Sequence, residues 1–261
     1  MTNELSHFDG RLWKGIKMQL KDKVAIITGG GRGIGKAIAH GYAGEGAKVV
    51  VAARSVNQIN TVADKIQQDG GEALAIPTDI RVPSEVENLV QQTMDRFGQI
   101  DILVNNAGVN PRGLFLDATL EEWELGWQIN VMGVVHCCRA VLPIMKRQGH
   151  GNIINVGSGM GQVGHANLSV YCASKFALHG LTQAIAEEVW EDGIIANVLI
   201  PGPVKTELSR PGWENAVTFR AASDPWKEPE QVVPSAIFLA AQPPSSGMTG
   251  QILSIMRRNS A

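Results

Sequence analysis

The amino-acid sequence predicts an α/β fold in which helices cover both faces of a single doubly wound parallel sheet. Apolar runs rich in β-forming residues alternate with segments of helical periodicity along the whole chain. The apolar runs are continuous rather than alternating, as expected for strands buried on both faces. No linker, internal repeat or low-complexity tract divides the 261 residues. We therefore expect one domain over residues 20–261, preceded by an extension of residues 1–19.

The predicted elements follow one another in regular order. Predicted strands cover residues 24–28, 48–53, 73–77, 102–105, 152–156 and 194–200. Predicted helices cover residues 34–45, 56–68, 84–97, about 120–147 and about 169–191. Gly70 and Gly193 follow two of these helices and are typical stop signals. Residues 201–229, rich in Pro, Trp and charge, are predicted as a long loop after a strand end, where doubly wound folds bind ligands.

Net charge and the distribution of apolar residues argue against some classes of partner and location. The net charge is −2 and no basic block is present, so nucleic acid is not an expected partner. No apolar run reaches the roughly 18 residues of a membrane span, and no membrane association is expected. The N-terminal segment lacks a hydrophobic signal core, and its Glu4 and Asp9 disfavour a transit peptide.

The three cysteines are predicted to be buried free thiols. Cys137 and Cys138 are adjacent, Cys172 lies alone, and no Cys-x-x-Cys spacing occurs. Neither a disulfide nor a metal site is therefore expected. Free thiols indicate a reducing compartment, so the expected location is the cytoplasm.

A glycine-rich loop, Thr28-Gly-Gly-Gly-Arg-Gly-Ile-Gly35, joins the first predicted strand to the first predicted helix. Gly29, Gly33 and Gly35 would permit a tight turn and a close backbone approach to a pyrophosphate. The helix that begins near Ile34 would offer free N–H groups and the positive end of its dipole. A purely structural turn is the alternative, but strand, glycines and helix in this order favour a dinucleotide site.

The same loop partly matches the phosphate loop of nucleoside triphosphatases. The match runs from Gly30 through Gly35 and Lys36. The next position must carry Ser or Thr to hold magnesium, and here it is Ala37. The missing hydroxyl makes a kinase or ATPase an unfavoured alternative.

The end of the second strand predicts the cofactor. A carboxylate about 20 residues after the glycines would bind the ribose 2′-hydroxyl of NAD. Here Ala53 occupies that place and Arg54 follows it. A guanidinium can bind a 2′-phosphate, and Arg32 in the glycine loop adds a second positive charge. NADP(H) is therefore predicted in preference to NAD(H), although Arg54 alone could be an ordinary surface residue.

Three residues predict an acid–base centre for hydride transfer. Tyr171 and Lys175 are one helical turn apart, and Ser158 stands in a Gly-Ser-Gly turn after a buried strand. A phenol with a pKa near 10 is a poor base at neutral pH, and lowering that pKa by roughly three units requires about 4 kcal/mol. An adjacent ammonium and a positive nicotinamide can supply this. Each residue alone could be structural; their occurrence together with the glycine loop indicates chemistry.

The combined motifs resemble those of the short-chain dehydrogenase/reductase family, over about residues 20–250. The matching segments are Thr28–Gly35, Asp79, Asn105-Asn-Ala-Gly108, Asn130-Val-Met-Gly133, Ser158, Tyr171-Cys-Ala-Ser-Lys175 and Pro201-Gly202. The resemblance implies a Rossmann-like fold.

The resemblance also implies roles for single residues. Tyr171 would be the general acid/base, Lys175 would bind the nicotinamide ribose and lower the tyrosine pKa, Ser158 would orient the substrate oxygen, and Asn130 would support a water relay. With the two arginines above, the expected cofactor contacts are Gly29, Arg32, Gly33, Ile34, Gly35, Arg54, Asp79, Ile80, Asn106, Ala107, Gly108, Tyr171, Lys175, Pro201, Gly202, Val204 and Thr206. Without the resemblance, Asp79 could equally cap the segment that follows it, and Asn106 could be an ordinary turn residue after a strand.

The predicted function is hydride transfer between NADP(H) and a ketone/secondary alcohol pair. One alternative is a 3-oxoacyl thioester reductase, which would need a basic patch for an acidic carrier protein. The cluster of Arg139, Lys146 and Arg147 is small for that purpose. An alternative of another class is a non-catalytic dinucleotide-binding regulator, which would have no need of an activated phenol.

The substrate itself is not specified by the sequence. Expected wall residues are 109–112, 162–168 with His165, and a loop with Trp213, Phe219 and Trp226. The resemblance implies a homotetramer, or a homodimer, since the ending 251–261 departs from the acidic, glycine-rich ending usual in the family.

Overall fold

The structure, a computed structural model, describes residues 18–209 and 226–255. Its strands are β1 Val24–Thr28, β2 Lys48–Ala53, β3 Glu72–Pro77, β4 Ile102–Asn105, β5 Gly151–Val156, β6 Ile194–Ile200 and β7 Ile252–Ser254. Its helices are α1 Gly33–Gly44, α2 Val56–Gln68, α3 Pro83–Phe97, α4 Leu120–Trp127, α5 Gly133–Gln148, α6 Ser169–Val189 and α7 Val233–Ala240.

The strands form one parallel sheet in the order β3-β2-β1-β4-β5-β6-β7. The chain winds outward from β1 to β3, returns to the centre at β4, and then winds outward in the other direction. The predicted doubly wound parallel sheet is therefore confirmed. Its switch point lies between β1 and β4, which is where such sheets bind ligands at the carboxyl ends of the strands.

Two apolar layers confirm that helices cover both faces. One layer packs buried residues of α1, α2 and α7 against the sheet. The other packs α3, α5 and α6 against the opposite face. Cys137 and Cys138 belong to the second layer, and all three cysteines are free and buried, as predicted. Burial raises the pKa of Cys138 to about 12.

The long helix predicted over about residues 120–147 is confirmed, since helical structure runs without a gap over Leu120–Gln148, but the type of helix changes in its middle. A π-helical segment, Gln128–Met132, separates α4 from α5. Asn130 lies in this segment with a fully buried side chain, which forms hydrogen bonds outside its own helix. A π-helical turn adds a residue to the helical repeat and is often found where a side chain must be aimed at a functional site.

The α4–α5 stretch has the length and hydropathy of a membrane span. More than half of its most apolar part, 56%, is buried inside the fold. This burial is typical of a core helix packed against a sheet.

Two elements were not predicted, β7 and α7. β7 has three partly exposed residues, which is too short for a clear apolar pattern. α7 follows a capping box at Glu228 and Gln231, whose side-chain and backbone groups bond reciprocally. The predicted loop 201–229 lies mostly outside the described residues.

A buried carboxylate fixes the amino ends of the central strands. Asp101 is 3% exposed and accepts hydrogen bonds from the Val24 amide at 2.8 Å, Lys23 Nζ at 3.0 Å and Gln99 Nε2 at 2.8 Å. His150 Nε2 lies 3.0 Å from the same carboxylate. Burial raises the pKa of Asp101, but the hydrogen bond from Val24, the hydrogen bond and charge of Lys23, and the hydrogen bond to His150 outweigh it, so the pKa is lowered.

Replacing this carboxylate is expected to destabilise the fold. We expect Asp101→Asn to lower the free energy of unfolding by about 2–3 kcal/mol at neutral pH, because buried donors lose a charged acceptor. A lowered pKa stabilises the fold above the unfolded pKa of about 4, so the difference should shrink as the pH falls below that value. Urea unfolding followed by circular dichroism measures both effects.

Asp69→Asn is the matched control. Asp69 pairs with Lys65 at 2.6 Å, but both side chains are 57% exposed, so the loss should be about 0.5 kcal/mol or less. Equal losses in the two variants would contradict the role assigned to Asp101.

Candidate active site

A cleft of ≈ 370 Å³ opens at the switch point between β1 and β4. Eleven predicted cofactor residues line it: Gly29, Arg32, Gly33, Ile34, Arg54, Asp79, Ile80, Asn106, Ala107, Gly108 and Thr206. Its volume lies in the range of small-molecule and cofactor sites. Gly35, Tyr171, Lys175, Pro201, Gly202 and Val204 do not line this cleft.

The glycine loop touches the loop that follows β4. Gly29 has a φ of +64°, and a Cβ added there would lie 2.8 Å from Ala107 Cα. A Cβ on Gly35 would collide with the Asn106 amide and the Gly29 carbonyl. These two glycines therefore allow contact between loops of the protein itself. Gly33 has a φ of +52° and begins α1 inside the cleft.

The first turn of α1 borders the cleft through Gly33 and Ile34. Its N-cap, Arg32, makes no side-chain capping hydrogen bond, and the first turn contains no acidic residue. Such a helix end is suited to an anionic group. Ala37, which excluded a magnesium-binding phosphate loop, is buried on the inner face of this helix.

Two arginines border the end of the cleft formed by β2. β2 ends at Ala53, and exposed Arg54 follows it at the cleft, where Arg32 also lies. Within residues 18–209 and 226–255 neither guanidinium forms an ion pair. Ser55 and Gln58 line the same region and were not singled out from the sequence; their positions directly after Arg54 and one turn into α2 are the signal that could have identified them.

Asp79 is already paired within the protein. It lies in the cleft after β3, and its carboxylate binds Arg81, with Nη2 at 2.5 Å and Nε at 3.0 Å. Hydrogen bonding to Arg81 is the main cause of its lowered pKa, against a smaller effect of burial. Asp79 also accepts a hydrogen bond from the Arg81 amide at 3.0 Å, so it caps a turn as well as lining the cleft.

The loop after β6 forms another wall. Thr206 lies opposite Gly33, and Glu207 and Leu208 line the cleft beside it. Val204 is instead 4% exposed and belongs to the core. Gly202 has a φ of +71°.

Ser158, Tyr171 and Lys175 lie together beyond the cleft. Ser158 directly precedes a short 3₁₀ turn after β5, and Tyr171 and Lys175 lie in the first two turns of α6. Lys175 Nζ is 5.8 Å from the centroid of the Tyr171 ring and donates to the Val156 carbonyl at 2.7 Å. The structure thus joins the three residues that the sequence predicted as an acid–base centre.

Burial governs protonation in this centre. It raises the pKa of Tyr171, while hydrogen bonding to Ser158 and, less strongly, the charge of Arg112 act in the opposite direction. Burial also lowers the pKa of Lys175 to about 8. The pKa of Tyr171 is raised overall because burial of the phenol outweighs the other effects, and the lowering of this pKa by Lys175 stays a prediction.

Asn130 connects the cleft to α6. Its Oδ1 accepts from the Val109 amide, and its Nδ2 donates to the Val109 carbonyl and to Ser174 Oγ, each at 2.9 Å. Ser174 in turn donates to the Tyr171 carbonyl at 2.9 Å. Both amide hydrogens of Asn130 are engaged, so its side chain fixes backbone positions; the water relay stays a prediction. Ser174 lies in the quoted Tyr-x-x-x-Lys motif but had no predicted role.

His179 was also not predicted. It lies one turn after Lys175, is 5% exposed, and packs against Gly157 and Gly161, on either side of Ser158. Its Nε2 is 3.5 Å from the Ser158 amide nitrogen. Burial, with the charge of Lys175, lowers its pKa to about 4, so this imidazole is neutral at physiological pH. Trp213 and Phe219, expected at the substrate wall, lie outside the described residues.

Known proteins share this architecture. The chain is 35% identical over 237 residues to a 3-oxoacyl-[acyl-carrier-protein] reductase of Synechocystis, covering 90% of this chain and 96% of that protein. The crystal structure of a short-chain type dehydrogenase/reductase from Mycobacterium marinum superposes with a TM-score of 0.85 at 36% identity, covering 92% and 96% of the two chains.

A gluconate 5-dehydrogenase from Burkholderia cenocepacia, solved in complex with NADP and tartrate, superposes with a TM-score of 0.83 at 31% identity. That match covers 92% of this chain and 95% of the other. The profile of the short chain dehydrogenase family matches residues 23–216. The chain therefore belongs to the short-chain dehydrogenase/reductase family, whose members bind a nicotinamide dinucleotide, and is an oxidoreductase of that family.

Proposed function

We propose that this oxidoreductase interconverts a ketone and a secondary alcohol with NADP(H), and that Tyr171 exchanges the proton. The observation that carries the proposal is the grouping of Ser158, Tyr171 and Lys175 into one cluster. A bound nicotinamide would supply the hydride. A phenol beside it can deliver or remove the proton on the carbonyl oxygen.

The protonation of the centre favours reduction. Because burial raises the pKa of Tyr171, the phenol is neutral at physiological pH and can donate its proton. Ser158, which lies within hydrogen-bonding reach of the phenol, would hold the substrate oxygen against it. Forming a phenolate for alcohol oxidation would require the added positive charge of an oxidised nicotinamide.

Positive charge near the carboxyl end of β2 supports the proposal of NADP(H) rather than NAD(H) as the cofactor. A 2′-phosphate would meet Arg32 and Arg54, with the Ser55 and Gln58 side chains as further donors. No carboxylate stands at the end of β2, where Ala53 is found. The bound NADP of the gluconate 5-dehydrogenase relative agrees with this proposal.

A 3-oxoacyl-carrier-protein reductase is the second candidate, because the Synechocystis relative has that name. The basic patch that such an enzyme would need to bind its acidic carrier protein is weaker in the structure than the sequence indicates. Lys146 pairs with Asp192 at 2.7 Å, so that cation is partly neutralised. Cytoplasmic location and a homotetrameric or homodimeric assembly stay predictions.

Removing the phenol tests the proton donor. We expect Tyr171→Phe to lower kcat by about 10²–10⁴-fold, the usual contribution of general acid–base catalysis, while NADPH still binds. Reduced-nicotinamide absorbance follows turnover with a ketone panel, and nicotinamide fluorescence follows binding.

The chain's only other tyrosine provides the control. Tyr42 is buried and donates to the Ala236 carbonyl at 2.9 Å. Tyr42→Phe should cost about 1 kcal/mol of stability and leave kcat unchanged. Full activity in Tyr171→Phe would refute the assignment.

Reversing the charge at the β2 end tests cofactor choice. We expect Arg54→Asp to lower the NADP/NAD ratio of kcat/KM by about 100-fold or more, since a charged contact is lost and a repulsive one gained. Arg54→Gln, which removes attraction alone, should give a smaller decrease. An unchanged ratio in both variants would show that the phosphate does not bind at this arginine.

The buried Lys175 should lower stability in a pH-dependent way. The unfolded chain binds its proton up to about pH 10.5, but the folded chain only up to about pH 8. Wild-type stability relative to Lys175→Met should therefore rise by about 3 kcal/mol across this interval. Urea unfolding of both proteins from neutral to alkaline pH measures the difference; parallel curves would contradict the burial of a titrating ammonium.

A further inference from the structure

The imidazole of His179 packs under residues 157–161, the short segment that carries Ser158; we call this segment the Ser158 turn. A Cβ added to Gly157 would lie 2.5 Å from His179 Nε2, and a Cβ added to Gly161 would lie 2.8 Å from the same nitrogen. The ring therefore contacts the turn on both sides of Ser158. No larger residue fits at either glycine unless the imidazole moves.

Other contacts attach the Ser158 turn to the rest of the fold. Directly before the turn, the Val156 carbonyl accepts from Lys175 Nζ at 2.7 Å, and the Gly157 amide donates to the Leu199 carbonyl of β6 at 2.8 Å. At the end of the turn, a Cβ on Gly161 would lie 2.7 Å from the Lys175 carbonyl oxygen. The turn thus rests on the backbone of α6, the helix that also carries the phenol.

The backbone amide of Ser158 faces the imidazole. Its nitrogen lies 3.5 Å from His179 Nε2. Two other hydrogen bonds close the turn on itself: the Met160 amide donates to Ser158 Oγ at 3.2 Å, and the Gly161 amide donates to the Ser158 carbonyl at 2.9 Å. A separation of 3.5 Å is long for a hydrogen bond, so the packing of the ring and this weak bond act together.

We propose that His179 is a positioning residue, which packs under the Ser158 turn and thereby holds the Ser158 hydroxyl against the Tyr171 phenol. This rests on the proposed function. His179 and Tyr171 lie about two helical turns apart on α6, so the ring relates the place of the serine to that of the phenol. Displacing a reacting group by about 1 Å can cost about 10²-fold in rate. A neutral imidazole suits this place, because one of its nitrogens can accept from the Ser158 amide.

A double-mutant cycle measures whether His179 acts through Ser158. We expect His179→Leu, which keeps an apolar side chain under the turn but removes the acceptor, to lower kcat for NADPH-dependent ketone reduction by about tenfold with unchanged NADPH affinity. In a Ser158→Ala background the same change should alter kcat by about twofold or less, because the hydroxyl that it positions is gone. His179→Gln, whose amide oxygen can replace Nε2 as the acceptor, should recover most of the activity.

Thr182→Val is the matched control. Thr182 is also buried on α6, where it accepts from Asn155 Nδ2 at 2.8 Å and donates to the Leu178 carbonyl at 2.7 Å. The change removes buried hydrogen bonds from the same helix without touching the Ser158 turn. It should lower the urea midpoint of unfolding but keep kcat within about twofold, both alone and combined with Ser158→Ala.

Tyrosine labelled with ¹³C at Cζ gives a readout without turnover. The chain has two tyrosines, so Tyr42→Phe assigns the two resonances. The Tyr171 phenol is hydrogen-bonded to Ser158. Its resonance should therefore shift in Ser158→Ala, shift in the same direction in His179→Leu, and stay in place in Thr182→Val.

The outcomes separate the two proposals. Wild-type kcat in His179→Leu, losses that add fully in the double variant with Ser158→Ala, or an unshifted Tyr171 resonance in His179→Leu overturns the positioning role. Absence of turnover with every ketone, together with the expected shift of the Tyr171 resonance in His179→Leu, supports the positioning role and overturns the proposed reaction.

Discussion

The site depends on the contact between the loops that end β1 and β4. Thr28 Oγ1 accepts from the Asn106 and Ala107 amides at 3.1 and 3.2 Å. In return, the Asn106 side chain donates to the Thr28 and Gly29 carbonyls at 3.0 and 3.1 Å. Because β1 and β4 flank the switch point, these four bonds fix the walls of the cleft relative to each other. The glycines are needed there because any Cβ would separate the two loops.

Further hydrogen bonds connect these loops to the proton-transfer centre. Asn130 forms a hydrogen bond to Val109, three residues after Asn106. Asn130 also donates to Ser174, and Ser174 in turn donates to the carbonyl of Tyr171. The π-helical turn at residues 128–132 directs Asn130 into this position. Placing a reacting group to within a fraction of an ångström requires such supporting contacts.

Much of the fold could be predicted from sequence because both faces of the sheet are covered. Continuous apolar runs identified β1, β2, β4 and β6 with their observed boundaries. The short edge strand β7 is only partly buried, so it leaves no such run. The π-helical turn within the predicted helix 120–147 was missed because the apolar periodicity is regular on either side of it.

The site residues that could be predicted from sequence belong to motifs that lie at the end of a predicted strand. The glycine loop and Arg54 stand next to strand ends, so their place at the cleft follows from topology alone. His179 could not be identified in this way, because a polar residue in the middle of a helix gives no sign of what it faces across the fold. The pKa of Tyr171 depends on how deeply the phenol is buried, a property of tertiary packing that the Tyr-x-x-x-Lys spacing does not contain.

Burial also governs the charge of the lysine beside the phenol. Lys175 is buried, and with a pKa of about 8 its charge is only partly retained in mildly alkaline solution. At physiological pH a mostly charged ammonium therefore lies beside a neutral phenol, and the neutral phenol is the form that can donate a proton in the proposed reduction.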